Sequence, residues 1–129
     1  MNVTIIHRDS KIDSKYYKLH NKFIRFLQKK LPLKKDFTII FMSERSGKMT
    51  TGSRTEDNEL KILTKKRINR DILRTLAHEW VHEYQRTILK RPHGPNIGGK
   101  NEDEANAFAG RLMKIFEKEN PNLEQKMYE

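Results

Sequence analysis

The sequence predicts an α+β fold in one domain, residues 1–129, with a short sheet between an N-terminal helix and two C-terminal helices. Three observations carry that prediction. Apolar residues recur every three or four positions from Ile12 to Leu31, run almost unbroken from Phe37 to Met42, and return at helical spacing twice beyond residue 68.

Each element has its own signal. Val3-Thr-Ile-Ile6 is a short β-prone run and a candidate first strand, so the sheet has three strands, or four if this run joins it. Lys11 to Leu31 is an amphipathic helix with Ile12, Tyr16, Leu19, Phe23, Phe26, Leu27 and Leu31 inward, stopped by Pro32. Phe37 to Met42 is a strand buried on both faces. A turn at Ser46-Gly47 leads into the polar run Lys48–Ser53, read as an edge strand. A second turn at Thr55–Asn58 leads into the strand Glu59–Thr64. The next helix starts near Ile68-Asn69, with Asn69 as N-cap, and reaches about Lys90 before the Gly/Pro-rich loop Arg91–Lys100. A closing helix runs from Glu102 to about Glu119, with Asn101 as its N-cap and Glu104 completing a capping box. Asn120-Pro121 ends it ahead of a polar tail.

Composition narrows the chemistry. The chain has no cysteine, which suits a reducing compartment and excludes disulfides and thiolate metal sites. No segment approaches transmembrane length, and Met1–Asp9 lacks the apolar run of a signal peptide. The expectation is a cytoplasmic protein without membrane contact. The net charge of +10 is uneven: residues 11–35 carry +8 and residues 61–100 carry +7, while the rest is neutral or acidic. These two basic blocks are candidate contacts for nucleic acid, against the plainer reading of lysine-rich solvated helix faces.

The most specific chemistry lies in His78-Glu79-Trp80-Val81-His82, which spells H-E-x-x-H on the longer C-terminal helix. Imidazoles four residues apart share a helix face and reach one metal ion. Glu79 then stands beside a metal-held water as general base, the layout of a zinc hydrolase. Without cysteine, Zn2+ must be held by His and carboxylate. Three protein ligands are usual at a catalytic zinc, and His93, Glu102, Asp103 and Glu104 are the candidates for the third. Glu102 is favoured. It heads a stripe of small and apolar residues, Ala105, Ala109 and Leu112, that lets the closing helix approach its neighbour, whereas Glu104 shares a line with Phe108, Arg111 and Ile115. His93 and Glu104 remain the alternatives.

Thr75-Leu-Ala-His-Glu-Trp-Val-His-Glu-Tyr-Gln85, followed by Glu102-Asp-Glu-Ala-Asn-Ala-Phe-Ala109, resembles a minimal gluzincin metallopeptidase. The second segment is similar to the E-x-E-A-n-x-F-A pattern of ImmA/IrrE metallopeptidases, and the first resembles the T-L-x-H-E-x-x-H-x-Y-Q motif of SprT/Spartan-like proteases. The resemblances imply a small zincin-like fold, a zinc cofactor and a protein or peptide substrate. They differ on the third ligand: the SprT type implies His93, within His93-Gly94-Pro95, and the ImmA/IrrE type implies Glu102. The ImmA/IrrE pattern commonly continues L-L-M-P, where this chain has Leu112-Met113-Lys114.

The expected activity is therefore zinc-dependent endopeptidase hydrolysis, with Glu79 as base, His93 or Tyr84 as candidate oxyanion donors, and the edge strand pairing with an extended substrate. Gly52 and Ser53 would leave room for that substrate. The alternative is a basic nucleic-acid-binding or protein-interaction module whose zinc site is vestigial or structural.

Overall fold

A computed structural model describes residues 2–9, 12–44, 51–54, 58–91 and 99–129. Its centre is strand β2 (Phe37–Met42), where Phe37, Ile39 and Phe41 face the helices and Ile40 and Met42 are buried on the opposite face. The N-terminal run does join the sheet. Strand β1 (Val3–Arg8) lies parallel to β2 with Val3 opposite Phe37, so the sheet has four strands. Strand β4 (Glu59–Leu63) runs parallel on the other side of β2, and the short β3 (Gly52–Arg54) pairs antiparallel with β4. The order β1-β2-β4-β3 puts β3 at an edge. Of the predicted edge strand, residues 48–50 lie outside the described residues, as do the Ser46-Gly47 turn and residues 55–57.

Among the described residues, the H-E-x-x-H helix packs on the sheet, and the other helices share its core with one sheet face. Helix α1 (Tyr17–Lys30) connects the parallel strands β1 and β2 and buries Leu19, Phe23, Ile24 and Leu27. It starts later than its periodicity suggests, because the Asp13 carboxylate accepts from the Lys15 amide (3.0 Å) and holds Ser14–Tyr16 in a 3-10 turn. Helix α2 (Asn69–Thr87) carries the H-E-x-x-H residues, and its Leu73, Leu76, Ala77, Trp80 and Val81 are buried. Trp80 is fully enclosed, edge-on to Phe37, and donates its indole N–H to the Leu31 carbonyl (2.8 Å). This bond ties the middle of α2 to the end of α1.

Neither expected asparagine is the cap of its helix. The cap of α2 is Ile68 in extended conformation, and Asn69 is buried inside the first turn. Its side-chain oxygen accepts from His20 Nε2 (2.9 Å) and its amide donates to the Lys126 carbonyl (2.9 Å). Helix α3 (Lys100–Glu119) is preceded by Gly99 at φ 92°, a left-handed conformation suited to glycine, so Asn101 falls within the helix. The polar tail is also structured. A 3-10 turn (Pro121–Leu123) and the one-turn helix α4 (Glu124–Met127) bury Met127, and the Glu129 carbonyl accepts from the Asn69 amide.

Candidate metal centre

The α2–α3 contact builds the site. Ala105 and Ala109 are buried on α3, and their small side chains let the two helices approach closely. That approach brings the first turn of α3, where Glu102 stands, over the His78/His82 face of α2. His78 Nε2 and His82 Nε2 lie 3.1 Å apart. Glu102 spans them, one carboxylate oxygen 2.9 Å from His78 Nε2 and the other 2.8 Å from His82 Nε2. Among the described residues this is the group of three or more His, Cys, Asp or Glu side chains able to share a metal ion.

The donor set suits a cation. Two imidazoles and a carboxylate face one another here, an arrangement in which a proton can bridge only two of the groups and a metal ion can serve all three. Ligands held about 2.0–2.1 Å from a tetrahedral zinc stand about 3.3 Å apart, so the cluster needs to open only slightly to accept one. Two imidazoles and a carboxylate also fit zinc's preference for nitrogen and hard oxygen. The three side chains keep exposures of 18%, 12% and 25%, which leaves the cluster open on one side.

The other candidates fall elsewhere. Glu104 turns away and accepts from Gln85 Nε2 (3.1 Å) and Arg91 Nη1 (2.6 Å), and these bonds hold its carboxyl below the usual range. Asp103 is exposed. His93 lies outside the described residues. Tyr84 packs against the hydrophobic core. Glu79 is buried, and its side chain lies against β3: a Cβ placed on Gly52 would come 2.9 Å from Glu79 Cγ and 2.7 Å from Thr75 Cγ2. Gly52 therefore makes room for Glu79 and Thr75, a close approach between elements that no local pattern announces.

The fold is shared with a known protein. A mutant of Wss1 from Saccharomyces cerevisiae has a similar structure, with a TM-score of 0.57, 12% sequence identity, and coverage of 91% of this chain and 94% of that one. Both have the small zincin-like α+β fold. No protein-family model matches the chain, and no curated protein matches it in sequence.

The surroundings are strongly charged. Next to His82 in the chain, Glu83 is 2% exposed and accepts from both Lys35 and Arg86. Burial opposes its ionisation, but these two cations outweigh it and hold the carboxyl below its ordinary value. Much of the second basic block is spent within the fold. Arg67 donates to the Leu63 and Asp71 carbonyls and Thr75 Oγ1, Arg70 pairs with Glu117, and Arg91 pairs with Glu104. In the first block Lys18, Lys22, Arg25, Lys29 and Lys30 of α1 are exposed. No helix among the described residues is long and apolar enough to cross a membrane.

Proposed function

We propose that the chain is a zinc-dependent endopeptidase in which His78, His82 and Glu102 hold the metal and Glu79 is the general base. The observation that carries this reading is the convergence of His78, His82 and Glu102, whose nearest ligand atoms lie 2.8–3.1 Å apart pair by pair, with the buried Glu79 next to His78 in the chain. The fold shared with Wss1, a metalloprotease, supports it.

Zinc bound at such a site lowers the pKa of its water to about 7 and polarises a substrate carbonyl. The protein's own groups supply the rest. Glu79 takes the proton of the attacking water on a carboxylate oxygen and hands it to the leaving amine nitrogen. Its position between the ligand face of α2 and edge strand β3 supports that role. A peptide added along the outer edge of β3, unpaired among the described residues, would carry its carbonyl groups past Glu79. Main-chain pairing of this kind selects an extended segment rather than a particular side chain, so the substrate class is an unfolded or looped stretch of protein.

The test is Glu79→Gln, which keeps the shape of the side chain and removes its basicity. The variant binds zinc with the wild-type stoichiometry and its kcat falls at least about 100-fold, the low end of a general base's contribution. Hydrolysis at the wild-type rate would remove Glu79 from the mechanism.

The exposed cations of α1 support a second property, a polyanion contact separate from catalysis. Salt-dependent retention on nucleic acid, weakened by Lys18→Gln with Lys22→Gln, would establish it.

A further inference from the structure

We infer that Gln85 is a positioning residue for the metal centre, setting the tautomer of His82 and locking α3, and with it Glu102, against α2. The inference rests on the metallopeptidase reading above and adds to it a residue outside the H-E-x-x-H motif.

The hydrogen bonds themselves orient Gln85. Its Nε2 lies 3.1 Å from the Asn101 carbonyl oxygen and 3.1 Å from Glu104 Oε1. A carbonyl and a carboxylate only accept, so the amide nitrogen must face them and Oε1 must face His82 Nδ1, which is 3.0 Å away. Oε1 also only accepts, so His82 Nδ1 carries the proton. A neutral imidazole with its proton on Nδ1 presents a lone pair at Nε2, the atom that faces His78 and Glu102. Gln85 thus selects the tautomer a metal ligand needs.

The second half of the amide acts on the other helix. Asn101 and Glu104 lie on either side of Glu102 at the start of α3, and Gln85 binds both from α2. Arg91, at the start of the connecting loop, donates to the same Glu104 oxygen. The chain Arg91–Glu104–Gln85–His82 therefore joins the loop, both helices and one imidazole. Gln85 is 2% exposed, so its own amide is shielded from bulk water. Outer partners of this kind typically change metal affinity 10–100-fold when removed.

The experiment titrates the metal-free full-length chain with zinc in competition with a chromophoric chelator. Gln85→Met, of similar length and without hydrogen bonds, binds zinc about 10–100-fold more weakly. Because that variant also loses the helix tie, Gln85→Glu combined with Glu104→Gln supplies the control. The exchanged pair keeps an acceptor for His82, a donor between the two positions and an acceptor for Arg91, gives up only the bond to the Asn101 carbonyl, and recovers most of the affinity. In the zinc-loaded wild type a slowly exchanging His82 Nδ1 proton is visible by NMR, and Gln85→Met loses its protection. Wild-type affinity in Gln85→Met would overturn the inference. Equal losses in Gln85→Met and the exchanged pair, each proportional to its fall in melting temperature, would overturn it too by leaving Gln85 a general stabiliser. A wild-type chain that takes up no zinc, or keeps it after His78→Ala, defeats the metal-centre reading itself, and that arm is read independently of Gln85.

Discussion

Glu79 and Gly52 touch so closely that the glycine has no room for a side chain: a Cβ there would stand 2.9 Å from Glu79 Cγ. Edge strand β3 and the proposed base are therefore placed by one contact. Gly52→Ala forces Thr75 and Glu79 to move, at a stability cost of about 1–3 kcal/mol typical of overpacking. A displacement of about 1 Å in a catalytic group can cost about 100-fold in rate. Gly52→Ala is expected to keep its zinc and lose kcat by about 10–100-fold, measured by steady-state kinetics beside metal analysis.

Trp80 is the mechanical anchor of the motif helix. Trp80→Phe removes the donor to the Leu31 carbonyl and leaves that buried acceptor without its partner, which costs about 1–3 kcal/mol before any loss of packing. Chemical denaturation should show a lower midpoint with an unchanged slope. Zinc affinity should change less than stability, because His78 and His82 lie on a different stripe of α2.

Acid sensitivity should trace partly to His20. Burial lowers its pKa more than its bond to Asn69 raises it, and its Nδ1 is buried with no hydrogen-bond partner among the described residues. The unfolded chain therefore binds a proton more readily than the folded one. Stability from this residue is complete above the unfolded value of about 6.5 and is lost as pH falls from there toward the depressed folded value. Melting temperatures of the metal-free protein between pH 7.5 and 5 should fall more steeply in wild type than in His20→Gln.

The sequence was most legible where packing follows local period. The buried stripe of α2, the apolar β2 run and the alanines of α3 all declare themselves by spacing, and that alanine stripe is what ranked Glu102 ahead of Glu104. Features settled by distant partners were not legible. Asn69 and Asn101 look like caps, yet Asn69 is claimed by His20 and the C-terminal turn, and the positive φ of Gly99 starts α3 one residue before Asn101. The tail reads as polar, yet Met127 is buried in the core and Leu123 packs against it. From sequence Gly52 offers space for a substrate, whereas that space is taken by the neighbouring helix. Gln85 could be placed on the ligand stripe from its spacing to His82, but its partners on α3 could not.

The central claim is that His78, His82 and Glu102 together hold one zinc. Metal content of the purified wild type, beside Glu102→Ala, Glu104→Ala and His93→Ala at saturating zinc, tests it most directly. The account predicts one zinc per chain in wild type, its loss in Glu102→Ala, and its retention in Glu104→Ala and His93→Ala. Zinc retained in Glu102→Ala and lost in His93→Ala would contradict it.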